Sequence, residues 1–390
     1  MTAALVVATL SLVIWMYLIF VHGGFWLGRE NDDVLLSCAT PAQWPRVCAV
    51  IPARNEADMI PLSLPTLLAQ DYPGEFAIFL VDDQSEDGTA SIAQKLGQNS
   101  ARTLRVIPGG ERPHGWTGKV WAQHQGIARA SVGAAPPDYL LLTDADIGYA
   151  RGALTQLVLR AQSNNSALTS LMAKLRCESL AERALVPAFI FFFQMLYPFR
   201  WVNRATIPIA GAAGGCMLVE RAALQRAGGI QSIRGALIDD CALAKVMKRE
   251  GPIWLGWTER VHSLRPYPHF NDIRQMVSRS AYAQLRYSPL LLAGTIGGLA
   301  LTYLAAPVLA IFVGYPTNLI AAFAWGLMAL SFQPTLRRYG RSALWGLALP
   351  GIALVYLVFT IDSAYQHGRG RGGMWKGRAQ ANVTTKREAE

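Results

Sequence analysis

The chain has 390 residues, enough for about two or three domains, and is 52% hydrophobic but only 16% charged, with the apolar residues gathered toward both ends. That is high for a soluble protein and points to membrane segments. Five cysteines (Cys38, Cys48, Cys177, Cys216, Cys241), odd in number and without a C-x-x-C, argue against a disulfide framework and a zinc site and fit a reducing compartment. The net charge of +10 comes with no basic run interleaved with aromatics, so it is read as Arg and Lys near anionic lipid on the cytoplasmic face, not as a nucleic-acid surface.

Residues 1–22 form an uncharged Leu/Val/Ile-rich stretch near the minimum length for a span. Nothing basic precedes it, so it reads as a retained anchor and not a signal peptide. Arg29 and Arg46 follow, which by the positive-inside rule places the N-terminus outside and the next domain in the cytoplasm. Residues 23–45 are a linker. Residues 47–51 (VCAVI) read as a strand ending at Pro52-Ala53-Arg54-Asn55-Glu56, and 57–70 as a helix. Residues 76–81 (FAIFLV) form a second strand ending in Asp82-Asp83, after which Asp87 is the candidate N-cap for a helix to Leu96. A short strand at 104–107 and helices at 117–130 and 151–162 flank the strand 139–143, which runs into Asp144-Ala145-Asp146.

Strands alternating with helices predict an α/β fold with a mixed, mostly parallel sheet, helices on both faces, and transmembrane helices added at the ends. Three acidic or polar clusters then fall at the carboxyl ends of strands, where open α/β sheets bind ligands. No G-x-G-x-x-G and no Walker A sequence is present. In extended backbone, residues i and i+2 point the same way, so Asp144 and Asp146 can aim at one cation. Oxygen-only ligands suit Mg²⁺ or Mn²⁺. A lone Asp-x-Asp is more often a polar loop, and the shared edge is what favours the metal. Residues 185–199 are very apolar but short for a span, and read as a helix lying in the membrane interface. Residues 210–218 are glycine-rich, as needed where backbone approaches a ligand. Asp239 and Asp240 precede a helix at 241–249.

The cytoplasmic domain is thus expected over 46–270, an interface segment over 271–287, membrane helices over 288–366 and a basic tail over 367–390. Candidate spans are 289–313, 319–332 and 343–361. Three spans would leave Arg369, Arg371, Lys376 and Arg378 outside, against the positive-inside rule. The last segment, with Pro350-Gly351 at its centre, is therefore the candidate for a re-entrant helix.

The order IPARNEA, VDDQSEDGT, TDADI, GGCMLVER, IDDCALA resembles the family 2 glycosyltransferases of the GT-A fold over about residues 47–286. The layout is similar to ceramide glucosyltransferase. The segments GWTGKVWA, RSAYAQLRYSPLLL and WKGR resemble the hopanoid-associated glycosyltransferases of bacteria. The resemblance implies a metal-dependent, inverting transfer from a UDP-sugar to a hydrophobic lipid such as a hopanoid. It implies that Pro52, Ala53, Glu56 and Asp83, with Asp82 beside them, hold the base and ribose. Asp144 and Asp146 would hold Mg²⁺ or Mn²⁺, Asp240 would be the general base and Asp239 would orient it. Lys119 would approach the diphosphate, although a lone helix lysine is more often solvated. Gly215 belongs to the stretch against which the sugar would lie. The family's Q-x-x-R-W pattern is altered: Arg286-Tyr287 matches its end, but Gln284 is one residue too close. Arg286 remains a candidate phosphate ligand, and Trp375 and Arg378 would close over the site. Competing readings are a polyprenyl-phosphate or processive polysaccharide transferase, and a non-catalytic membrane scaffold.

Overall fold

The computed structural model describes residues 3–33, 41, 43–132, 135–375 and 378–379. Cys38, Lys376 and the side chains of Trp375 and Arg378, with the closing role expected of those two, lie outside what is described. The described residues divide into a sheet unit (those within 30–176 and 201–266, with 375 and 378–379) and a helical unit (those within 1–29, 177–200 and 267–374).

The sheet unit is built on eight strands: β1 (Val47–Ala53), β2 (Phe76–Asp82), β3 (Thr103–Pro108), β4 (Tyr139–Leu142), β5 (Ile147–Tyr149), β6 (Leu168–Lys174), β7 (Met217–Glu220) and β8 (Ile253–Ser263). Their order is β3-β2-β1-β4-β7-β6-β8-β5. The first four neighbours are parallel, β7 runs antiparallel to both β4 and β6, and β5 is antiparallel to β8. This is the mixed, mostly parallel sheet expected. Strands β1, β2 and β4 are near-continuous apolar runs because both faces are covered. The register Ala53↔Asp82 brings the ends of β1 and β2 level, so the polar clusters after β1, β2 and β4 share one edge. Sequence patterning marks only four of these strands. The other four pair over long sequence distances, and β5, β7 and the 210–218 glycine stretch carry no strand pattern of their own.

One local expectation changes. Asp87 is not the N-cap; Gly88 is, at φ 90°. Asp87 instead accepts hydrogen bonds from the amides of Ala57 (2.9 Å) and Thr89 (3.1 Å), tying the loops after β1 and β2 together. Helix Gly118–Ala130 packs closely on the sheet, since a Cβ on Gly126 would meet Val50 at 2.5 Å and Val81 at 3.0 Å.

Among the described residues, five helical stretches are long and apolar enough to cross a membrane: Ala3–Phe20, Leu180–Val202, Pro289–Phe312, Thr317–Arg338 and Leu349–Gly368. Trp15 is fully buried, donates its indole N–H to the Thr302 carbonyl (2.7 Å) and stands edge-on to Tyr303. The segment read as short, 185–199, starts inside the helix Leu180–Leu196 and runs past its end at Tyr197. Ser179 and Glu182 form a capping box there. The buried Glu182 carboxylate also accepts from the amide of Tyr267 (2.7 Å), joining the two places where the chain passes from the sheet unit into this one. Pro350 and Gly351 are not a central break. They occupy the first turn of Leu349–Gly368, where proline's missing N–H is harmless, and the helix runs uninterrupted over its 20 residues. Asp362 of that helix accepts from Arg274 (2.6 Å) and Ser278 (2.9 Å).

Replacing Gly126 by Leu should overpack the helix–sheet contact and lower stability by about 1–3 kcal/mol. A fall of the unfolding temperature in detergent would show it; an unchanged temperature would mean the helix can slide.

Candidate functional site

The edge made by β1, β2 and β4 receives its remaining residues from two helix N-termini. Lys119 lies in the first turn of Gly118–Ala130, and Asp239 and Asp240 in the first turn of Asp239–Glu250. The positive end of that second helix favours carboxylates. The Lys119 ammonium is 2.7 Å from Asp144 and 3.2 Å from Asp239. Lys119 is no solvated helix lysine: its side chain is 17% exposed. Burial alone would lower its pKa, but the charges of Asp144, Asp239 and Asp240 outweigh that and raise it, so it stays protonated.

Asp240 accepts the amide of Gly214 (3.0 Å) and its neighbour Cys241's amide (2.7 Å). Its pKa is raised, first by burial and then by the charge of Asp239; Lys119 and the two amides pull the other way. Asp144 is also raised, by burial and then by Asp146 and Asp239, against the pull of Lys119. The glycine that meets this cluster is Gly214, where a Cβ would lie 3.2 Å from both Asp240 and Lys119. Gly215 faces packing: its Cβ position is 2.9 Å from Ile147, and its carbonyl accepts the Thr143 hydroxyl (2.8 Å).

Asp146 meets a residue that the sequence pattern does not single out. Strand β5 pairs with β8 in the register Ile147↔Ser263, and the Leu264 amide donates to the Asp146 carbonyl (2.8 Å). Arg265 is thereby set beside Asp146. Its Nε donates to Asp146 (2.8 Å) and its guanidinium also bonds Glu56. Burial would lower the arginine pKa, but Asp146 and Glu56 raise it. The only sequence signal is an Arg-Pro step after a strand without a clear pattern.

Pro52 and Ala53 are buried at the end of β1, and the Ala53 carbonyl accepts the Asp83 amide (2.8 Å). Asp83 is 1% exposed, and its carbonyl accepts from Arg54 (2.6 Å). Asp82 accepts the Ser85 amide (3.3 Å). Glu56 is buried and its amide bonds Thr89 (2.8 Å). The structure thus gathers Asp144, Lys119, Asp239 and Asp240 into one cluster, Asp146 and Glu56 around Arg265, and Pro52, Ala53, Asp82 and Asp83 at the level ends of β1 and β2. Arg286 belongs to the helical unit. It is exposed, with φ 52°, and Gln284 nearby in sequence donates to the Tyr197 hydroxyl (2.7 Å).

Among the described residues no three His, Cys, Asp or Glu side chains form a ready metal cluster. Asp144 and Asp146 each engage a cation of the chain through one oxygen, and the other oxygen of each has no protein partner among the described residues. Two carboxylate oxygens completed by phosphate oxygens and water are the set that Mg²⁺ takes. The residues therefore fit a divalent metal bound together with a diphosphate.

Residues 48–228 match the profile of glycosyl transferase family 2. The chain is 32% identical over 102 residues to the beta-monoglucosyldiacylglycerol synthase of Synechocystis sp.; the match spans 25% of this chain and 21% of that protein's length. Among solved structures it resembles a mannosyltransferase from Pyrobaculum calidifontis in complex with GDP-mannose and Mn²⁺, with a TM-score of 0.56 and 18% identity over 92% of this chain and 99% of that one. That likeness extends to the fold.

Lys119→Met should expose the mutual repulsion of Asp144, Asp239 and Asp240 and destabilise the protein by about 1–3 kcal/mol, less than a fully buried pair because Asp144 is partly exposed. The deficit should be greatest at high pH, where the acids are charged, and shrink as pH falls. Unfolding temperatures of both proteins across the range from mildly acidic to mildly alkaline pH check this; a pH-independent gap would contradict it.

Proposed function

The chain carries a family 2 glycosyltransferase domain over residues 48–228, and from that premise we propose that the protein transfers a sugar, with inversion, from a UDP-sugar to the hydroxyl of a membrane lipid. The observation that carries the mechanism is the placement of Asp240. It lies in a helix first turn, with Gly214's N–H and Cys241's N–H on its oxygens, beside the Lys119–Asp144 pair. Asp240 takes the proton of the acceptor hydroxyl. The hydroxyl oxygen forms a bond to the anomeric carbon as the bond from that carbon to the diphosphate oxygen breaks, and the electron pair leaves with the diphosphate. A base is best when its pKa is close to the working pH, and the upward shift of Asp240 is in that direction. Asp239 holds Lys119 and thereby the charge balance around the base. Pro52, Ala53, Asp82 and Asp83 line the level ends of β1 and β2 where the nucleoside would rest. A divalent metal held by Asp144 and Asp146 supplies neutralisation of the leaving diphosphate when bound.

A lipid acceptor is supported by two things. The relative named above is a synthase of monoglucosyldiacylglycerol, a sugar-bearing lipid. Five helices of this chain are apolar enough for a bilayer. A hopanoid is the acceptor that the sequence resemblance favours.

Chain continuity supports one membrane topology. The chain leaves the sheet unit after β6 and returns before β7, and these two strands are direct partners, Leu168↔Val219. The helix Leu180–Val202 therefore begins and ends on one side and lies in the interface. The chain leaves again after Pro266, and keeping its basic tail on the cytoplasmic side calls for an even number of crossings among the three apolar helices that follow. The helix Leu349–Gly368 is the one assigned to stay on the cytoplasmic side: its Asp362 and Ser363 are tied to Arg274, Ser278 and Tyr282, the segment that directly follows the sheet unit. Pro289–Phe312 and Thr317–Arg338 then cross, and the basic tail stays inside, as the positive-inside rule asks.

Purified protein should release UDP from one member of a UDP-sugar panel only when a hydroxyl-bearing lipid, hopanoids included, is supplied. Asp240→Asn should lower kcat by about 10²- to 10⁴-fold while nucleotide binding persists, and the wild-type rate should fall on acidification well above the ordinary carboxylate value of 3.8. Full activity in the Asn variant would remove Asp240 from the mechanism. For topology, a membrane-impermeant maleimide applied to intact cells should label Tyr315→Cys but not Ser342→Cys or Arg371→Cys. Labelling of Arg371→Cys would mean that the last helix crosses.

A further inference from the structure

We propose that Arg265 is a positioning residue that stands in for the divalent metal until the nucleotide arrives, and so makes metal binding depend on the nucleotide. This rests on the metal-and-diphosphate reading above. Glu56 follows β1 and Asp146 follows β4, and one guanidinium spans both, through Nε to Asp146 (2.8 Å) and through a terminal nitrogen to Glu56. The three side chains are 23%, 8% and 15% exposed for Arg265, Glu56 and Asp146. Two carboxylates brought together with so little water need a cation between them at all times. Backbone pairing fixes the arginine in that place, since the Leu264 amide is bonded to the Asp146 carbonyl. Lys119 does the same for Asp144. Both acids of the Asp-x-Asp pair are thus already neutralised by the chain.

A bare metal ion entering this site must compete with the guanidinium for Asp146 and leave that guanidinium half-buried and short of one partner. A metal arriving with a nucleoside diphosphate brings the remedy, because a guanidinium binds phosphate oxygens in a bidentate way as well as it binds carboxylate. Glu56 keeps hold of Arg265 during the exchange. Metal and nucleotide then each raise the other's affinity, as linkage requires of any coupled pair.

The test is Mn²⁺ binding by the full-length protein in detergent, read from the EPR signal of free Mn²⁺, with no nucleotide, with UDP and with GDP. In the wild type, a nucleoside diphosphate should tighten Mn²⁺ binding by about 5- to 150-fold, the usual span of a coupling between sites. In Arg265→Gln, Mn²⁺ alone should bind tighter than to the wild type, and the coupling should shrink. Arg265→Lys, which keeps the charge without the fork, should fall between. Glu56→Gln leaves Arg265 to Asp146 alone and should bind bare Mn²⁺ no better than the wild type. If Arg265 merely tethers the end of β8, its Gln variant will bind bare Mn²⁺ equally or more weakly and keep the coupling, which overturns the inference; Arg265→Lys decides the matter should the Gln variant not fold. Wild type that binds no Mn²⁺ with either nucleotide overturns the metal reading and the inference with it, whereas coupling that survives in every variant overturns the inference alone.

Discussion

The site depends on one ammonium. Without Lys119, three carboxylates from two different elements, Asp144 after β4 and Asp239 and Asp240 at a helix start, would repel across a partly dehydrated gap. Its position is itself fixed by packing. The helix Gly118–Ala130 can approach the sheet only because Gly126 has no side chain to meet Val50 and Val81, and Thr117 is held at the helix start by the Arg234 carbonyl (2.8 Å). A glycine further along the same helix thus sets where the charge sits, and the charge sets which acids can coexist.

The edge of β1, β2 and β4 was legible in the sequence because each strand is a short apolar run that stops at a polar cluster, and parallel neighbours must end on the same side. The Asp-x-Asp pair stood out for the same reason, and the Asp239–Asp240 pair because it opens a helical run. What could not be read was everything created by distant pairing. Arg265 reaches Asp146 only through the β5–β8 ladder, and no spacing rule connects residues 119 positions apart. The distinction between Gly214 at the charged cluster and Gly215 at Ile147 is likewise a matter of which face of the chain turns inward. The Pro350-Gly351 step misled for a different reason: the same dipeptide is a break in mid-helix and a good beginning in a first turn, and only the helix boundary tells them apart.

Charge neutrality recurs through the sheet unit as a local rule. Asp32 is buried and holds Arg260 at 3.1 Å, Lys174 meets Glu259 at 2.7 Å, and Arg265 meets two acids. In each case the later partner comes from β8 or its end, so this strand links the sheet's far edge to the cluster at its middle. Surface pairs of this kind contribute little to stability; here several are partly dehydrated, and their value lies in fixing which rotamer each acid adopts.

The helix Leu180–Leu196 is an excursion inserted between two strands that are hydrogen-bonded to each other. Its consequence falls on biosynthesis. Strand β6 is completed at residue 174, but its neighbours β7 and β8 emerge only after the excursion and end at residue 263. Throughout that interval the nascent chain carries an apolar helix and a row of unpaired strand groups at once, the combination most prone to wrong association. A fragment cut at either end of the excursion is therefore no smaller domain. The sheet and its apolar insertion have to be made, and inherited, as one piece.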